Sequence, residues 1–537
     1  MHSGLAAVAA VALAAHAGPA PVSTEVLGPF AGFDAPVHPD NMKPERVGFY
    51  GTDLGWSYAH GGKIHFIFGD TIADPQGTRI SELYDDSFGT IDLADWPDPT
   101  RISRDNLPVL RIGQVAGTSR AAVIDPGHPM EGLKTPVAAF SNGQREFGLF
   151  LTAKPQACRA DADCVNGLSC DTAIGILGER PDRPAGLTLP CDDSTPGCTV
   201  DPLFNAEGAA VPGSGLCSDR GSSIWADTPF GRAGAYAIRH LVGIRSVSDP
   251  GIYADTRPWL TNKFTNVVTR TVRDFVPGRP GTEPQDYRGA TAPGAASRVF
   301  LWGRPGFIGV NAKGSTLGMY FAFVDMPAGP GYAWDVHYYA GTGDDGRPRF
   351  SRNESDAAAV DLDSTAPGVQ PQEIHDIVQH MSIVWIEPLG KWVMFYGGGI
   401  SKFPLPQWFP ECGVLQVFAR TDCASVAIGN GAIRMRTADH PWGPWTPPVD
   451  LIVGGDADAR PLEGQYAPGG VLHHPECTAS NCQAPSPHMP KGDYGWLYGA
   501  NIIEEWTTRA GDGVNVIWIA STWDPYRVIL LRTRIDP

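Results

Sequence analysis

Charge is scarce in this chain, and positive charge scarcer still. Only 18% of its 537 residues are Asp, Glu, Lys or Arg, and 41 basic side chains face 58 acidic ones for a formal net charge of −17. A balance of that sign gives no electrostatic footing for nucleic acid or an anionic membrane. The ten cysteines include no Cys-x-x-Cys pair, so neither a zinc knuckle nor a redox dithiol is spelled out. No G-x-S-x-G elbow marks a serine hydrolase, and no H-E-x-x-H marks a metallohydrolase. His473-His474 is an isolated pair beside Pro475, and no loop spells a calcium site. GTGDDG at 341–346 is a turn rather than a phosphate loop. Heptads and helix–strand alternation are absent as well. No metal and no cofactor are expected.

What remains is a chain rich in turn formers and aromatics. Gly 64, Pro 49, Trp 15 and Tyr 15 suit short strands joined by long loops. Hairpin patterns recur about five times, at 51–71, 135–153, 298–326, 380–399 and from 493 to the end, with VLQVFAR and AIRMRTA following the fourth. The spacing is irregular, unlike that of exact-repeat propellers. An all-β fold follows.

Leu5 to Ala15 is apolar and Ala-rich and runs into Ala15-His16-Ala17, so residues 1–17 read as a signal peptide. The stretch lacks a basic n-region, and a disordered tail is the alternative. It is too short to span a membrane. The cysteines fit the same oxidising compartment. Six (158, 164, 170, 191, 198, 217) lie in a segment, 155–220, that is poor in apolar residues and reads as a disulfide-stapled insertion. It serves either as a substrate or surface contact or as an extended loop made protease-resistant. Four more (412, 423, 477, 482) allow three pairings, with Cys412–Cys423 and Cys477–Cys482 the local ones.

GTDLGWSYAHGGKIHFIFGDT, residues 51–71, is the stretch closest to chemistry. It reads as a hairpin turning at Gly61-Gly62. Ile64, Phe66 and Phe68 alternate along one face, and an acid stands at each outer end, Asp53 and Asp70. Asp70 leaves an apolar strand, where desolvation raises a carboxyl pKa. Two acids on neighbouring strands are what glycoside hydrolysis needs. Asp is also a common turn residue, so a structural role is the competing reading.

GTDLG, the GG hairpin and FGDT resemble the opening of the secreted β-propeller family catalogued as domain of unknown function 4185. That family includes endo-D-arabinanases, grouped as glycoside hydrolase family 183. GWLYGANIIEEWT (495–507) and VIWIASTWDPYRVILLRTRI (516–535) look like its closing blade. HPWGPWTPP (440–448) looks like the strand-ending phrase of sugar-acting five-bladed propellers. The resemblance implies a five-bladed β-propeller over 25–537, interrupted by the cysteine-rich insertion. It maps the family's acidic pair onto Asp53 and Asp70, with Asp53 as nucleophile and Asp70 as general acid/base, or the reverse. Trp56, His380, Tyr498 and Asn501 are candidates to hold a furanose, with Arg304 a further hydroxyl contact. For each of these a core or strand-pairing role competes.

The function this implies is a secreted or periplasmic glycoside hydrolase of furanosidic polysaccharide, endo-D-arabinanase-like, whose partner is an arabinan-type glycan. A non-catalytic glycan- or surface-binding propeller is the alternative. A structural surface protein acting through its insertion is a third.

Overall fold

The structure is a computed structural model. It describes residues 18–40, 48–74, 86–113, 134–152, short pieces between 157 and 218, 240–243, 257–260, 263–264, 266–273, 295–304, 319–327, 335–360, 362, 380–397, 433–452, 497–522 and 526–537. The leader at 1–17, the strand VLQVFAR and the cysteines from 412 to 482 lie outside the described residues.

Strand β1 (Ala20–Ala31) opens the chain. A first sheet follows in sequence order: β2 (Leu54–His60), β3 (Lys63–Phe68), β4 (Ser87–Asp92) and β5 (Arg111–Ile112). A second begins with β6 (Lys134–Ser141) and β7 (Glu146–Thr152). Two small three-stranded sheets then intervene, built from β8 (Ala157–Cys158), β9 (Ser169–Asp171), β10 (Ile174–Leu177), β11 (Pro190–Asp192), β12 (Cys198–Thr199) and β13 (Gly215–Ser218). Cys170 within them is buried and disulfide-bonded. The second sheet resumes with β14 (His240–Gly243) and β15 (Arg257–Leu260), in the order β6-β7-β14-β15.

The third sheet comprises β16 (Asn266–Arg273), β17 (Ala295–Arg304), β18 (Tyr320–Pro327), β19 (Val336–Thr342) and β20 (Pro348–Ser351). The fourth comprises β21 (Ser382–Ile386), β22 (Lys391–Gly397), β23 (Ile433–Ala438) and β24 (Val449–Ile452). The fifth contains β25 (Leu497–Ile502), β26 (Thr508–Ala510), β27 (Gly513–Thr522) and β28 (Arg527–Asp536). Its order is β25-β27-β28-β1, with β26 beside β27, so the first strand of the chain closes the last sheet. That closing strand is not among the elements read from the sequence.

The first strands of these sheets pack in a ring: β2 on β6, β6 on β16, β16 on β21, β21 on β25, and β25 on β2. They run in one direction. Trp56 Nε1 donates to Pro136 O at 2.8 Å, and His60 Nδ1 meets Ser141 Oγ at 2.8 Å. Thr269 Oγ1 donates to Ala139 O, and Ile502 N to Ser382 Oγ. The result is all-β with a propeller-like arrangement of sheets. The starts of the inner strands gather at one mouth of the ring and their ends at the other.

Local chemistry explains the hairpins. His60 pairs with Lys63 across Gly61 (φ 58°) and Gly62 (φ 79°), both left-handed, in the two-residue turn whose twist matches that of the strands. Ile64, Phe66 and Phe68 are fully buried, and so is Ile67 on the opposite face. The alternation marked a half-buried strand; β3 is instead covered on both sides, being internal to a sheet that packs between neighbours. Each such side chain contributes roughly 1.5–3 kcal/mol by leaving water. Between the first and fifth sheets the core is Phe30, Phe66, Phe68, Trp506, Ile519 and Leu530. Between the third and fourth it is Phe300, Trp302, Phe321, Trp392 and Tyr396. In the HPWGPW phrase Trp445 is buried, and Pro441 O accepts from Trp302 Nε1 at 2.6 Å.

Candidate active site

The starts of the inner strands gather most of the residues singled out from the sequence. Asp53 immediately precedes β2 and Tyr498 lies in β25 beside it. Tyr498 Oη donates to Asp53 Oδ2 at 2.6 Å. Asp70 follows β3, and Tyr526, just before β28, donates to its Oδ2 at 3.2 Å. Each acid of the first hairpin thus receives a phenol from the sheet formed by the two ends of the chain.

Burial separates the two acids. Asp53 is only 7% exposed, whereas Asp70 is partly open to solvent. The apolar run before Asp70 predicted the stronger desolvation there. The backbone after Phe68 stays paired with 50–53 as far as Ile72, and between the buried Gly69 and Thr71 it is Asp70 that reaches solvent, while Asp53 is covered by Tyr498 of β25 and lies against Gly69. The Gly69 N–H donates to Asp53 O at 3.0 Å, and a Cβ at position 69 would lie 2.3 Å from Asp53 Oδ1. Only glycine fits that close approach.

Tyr498 is fully enclosed. Burial first, then the negative charge of Asp53, holds its phenol well above its ordinary pKa. It therefore stays protonated and serves as the donor to Asp53. Beneath the acids runs a buried hydroxyl chain: Thr52 Oγ1 meets Thr71 Oγ1 at 2.9 Å, and Thr71 Oγ1 meets Ser87 Oγ at 2.6 Å. It ties the two ends of the hairpin, the residue before Asp53 to the residue after Asp70.

His380 sits just before β21, its ring 5.8 Å from that of Tyr498 and 6.3 Å from that of Trp56. Its φ of 36° lies in the left-handed region, as does the 61° of Leu54. No other non-glycine residue with positive φ occurs among the described residues; Leu54 follows Asp53 directly, and His380 stands by Tyr498, the donor to Asp53. Such backbone costs on the order of 1–3 kcal/mol per residue and collects at functional sites. Leu54 is held in place by its N–H, which donates to Ser521 Oγ at 2.6 Å.

Trp56 and Asn501 take supporting positions. Trp56 is 4% exposed and belongs to the core, its indole N–H bonded to Pro136 O across the first and second sheets. It offers no open ring face to a sugar in this state. Asn501 donates to Gly55 O, and Ser382 Oγ approaches its Oδ1 at 3.4 Å, so its amide staples the first, fourth and fifth sheets. Arg304 pairs through its backbone with Asn266 at the end of β17, and its side chain lies outside what is described. Tyr526 and Gly69 were not selected from the sequence. Tyr526 stands in DPYRV and Gly69 in FGDT, and neither phrase announces its partner: Asp70 lies 456 positions from Tyr526, and the contact of Gly69 with Asp53 is made across the hairpin.

No group of three metal-ligating side chains occurs among the described residues. No helix there is long and apolar enough to cross a membrane.

No protein-family model matches this chain, and no curated protein does. Among solved structures, one similar to it is the α-L-arabinofuranosidase from Podospora anserina in complex with cellotriose (10% identity, 97% of this chain and 98% of that one, TM-score 0.30). Others are a glycoside hydrolase family 62 hydrolase in complex with xylotriose (11%, 94% and 97%, TM-score 0.32) and the Trypanosoma rangeli sialidase in complex with sialic acid (9%, 96% and 59%, TM-score 0.34). The chain thus spans 59% of that sialidase's length. These likenesses are too slight to bear on activity.

Proposed function

We propose that the chain is a secreted glycoside hydrolase of furanosidic polysaccharide, endo-D-arabinanase-like, built on a five-bladed propeller. Asp53 and Asp70 are its acid pair. The observation that carries this reading is the pairing of each carboxylate with its own tyrosine, Tyr498 on Asp53 and Tyr526 on Asp70. Asp53 accepts the shorter bond, and that donor favours its anion against the opposing effect of burial, as nucleophile or as base toward water. Asp70, open to solvent and held at 3.2 Å, can carry and exchange the proton delivered to the leaving oxygen. Carboxyl groups about 5–5.5 Å apart give retention, and about 6.5–9.5 Å inversion.

One observation favours the non-catalytic glycan-binding alternative. Trp56 and Tyr498 are as deeply buried as Asp53, so that acid has the surroundings of a structural group. Product analysis after incubation with an arabinan-containing polysaccharide separates the two. The hydrolase releases oligosaccharides, and both Asp53→Asn and Asp70→Asn lose that release while staying folded. Glycan bound but not cleaved by the wild type would establish the binding protein.

A further inference from the structure

The other mouth of the ring has a site of its own. A cavity of about 360 Å³ is lined from all five inner strands or the residues just beyond them, and the acid pair takes no part in it. It lies five positions along β2 from Asp53, about 16 Å at the rise of a strand. Trp385 lines it with its ring partly open to solvent. Glu387, Glu504 and Glu505 supply carboxylates.

Most of this negative charge is already engaged. Arg270 pairs with Glu504, and Trp385 Nε1 donates to Glu387 Oε2 at 2.6 Å. A cation would have to compete for these groups. Meanwhile two polar groups in the lining lack hydrogen-bond partners among the described residues: the indole N–H of Trp392, a residue 1% exposed, and Thr271 Oγ1. A donor seeking an acceptor, acceptors at the rim and an aromatic face form the complement of a neutral polyhydroxylated ring.

We propose that this second mouth is a carbohydrate-binding site that takes a sugar residue between Trp385 and the Glu504–Glu505 edge. It stands on the cavity alone and is independent of catalysis at the acid pair.

Calorimetric titration with an arabinofuranosyl trisaccharide tests it, on wild type, Trp385→Ala, Glu505→Gln and Asp53→Asn. The expected result is saturable binding that weakens about tenfold in Trp385→Ala, the order of an aromatic contact. It also weakens in Glu505→Gln and persists in Asp53→Asn. Should Trp385→Ala fold poorly, Glu505→Gln decides. No binding, or equal affinity in wild type, Trp385→Ala and Glu505→Gln, overturns the proposal. So does saturable binding of tetramethylammonium that the trisaccharide fails to displace. Binding of the trisaccharide by a wild type that does not cleave the polysaccharide would count against the acid pair only.

Discussion

Gly69 and Asp53 are in mutual contact: the carboxylate oxygen Oδ1 occupies the place where a side chain at position 69 would begin, 2.3 Å from an ideal Cβ. The obstacle is a short, buried side chain between two strands, so neither partner can swing away. Gly69→Ala is therefore expected to displace Asp53 and cost about 1–3 kcal/mol, the usual range for overpacking. Denaturant unfolding reads the stability, and the rate of glycan cleavage should fall with it by more than the folded fraction explains.

Removing the phenol from Asp53 separates electrostatics from packing. Tyr498→Phe keeps the ring among its neighbours but deletes a hydrogen bond to a charged group, worth about 1.5–3 kcal/mol. Cleavage should slow roughly 10- to 150-fold, and the acidic limb of its pH–rate profile should move up, because the anion loses a donor. Tyr526→Phe, with its 3.2 Å bond to a partly exposed Asp70, should have the smaller effect. Equal rates and unchanged pH profiles in both variants would count against the pairing as part of the chemistry.

Away from the site, Arg298 and Asp325 form a buried ion pair within the third sheet, Nε to Oδ1 at 2.7 Å, with the guanidinium over the Phe323 ring. Asp325→Ala leaves a buried guanidinium without its counter-ion. It should destabilise by about 3–5 kcal/mol in urea unfolding. Replacing both residues by apolar ones of similar volume should recover most of that loss.

His65, on β3 beside Glu146 and His60, sets a pH response of its own. Burial lowers its pKa below 6.5, opposed by Glu146 at 3.1 Å. A histidine harder to protonate when folded than when unfolded adds no penalty above the unfolded value. As pH falls below about 6.5 the unfolded chain takes up the proton first, and stability drops until the folded pKa is passed. Melting temperatures from pH 7.5 to 5 should decline in wild type and less steeply in His65→Gln. An identical decline in the variant would assign the response to other groups.

The hairpins were legible because they are local. Two glycines at 61–62 and apolar residues at 64, 66 and 68 specify a turn and a core strand with no help from elsewhere in the chain. Bringing Asp53, His380, Tyr498 and Trp56 together was legible only through the family resemblance, since their order along the chain says nothing of a ring. Burial was misjudged because it depends on what covers a residue. Asp70 follows the apolar strand but emerges, whereas Asp53 lies under β25, more than 440 positions later. Trp56 and Asn501 read as sugar contacts by residue type; their side chains are committed instead to neighbouring sheets. Tyr526 and Gly69 act through a partner's geometry, which no pattern of spacing encodes.

The fifth sheet has a temporal consequence. Strand β28 lies between β27, its hairpin partner, and β1, where Thr24 and Thr533 share a hydrogen bond 509 positions apart. A ribosome delivers β1 first and β28 last, so β1 waits without its partner while every other sheet is made. Loop-closure entropy delays such pairings, and an unpaired edge is open to aggregation in the meantime. Tyr526 enters at the head of that last strand. Asp70 therefore acquires its phenol only when the ring shuts, and a nascent chain carries both acids well before either can receive its tyrosine.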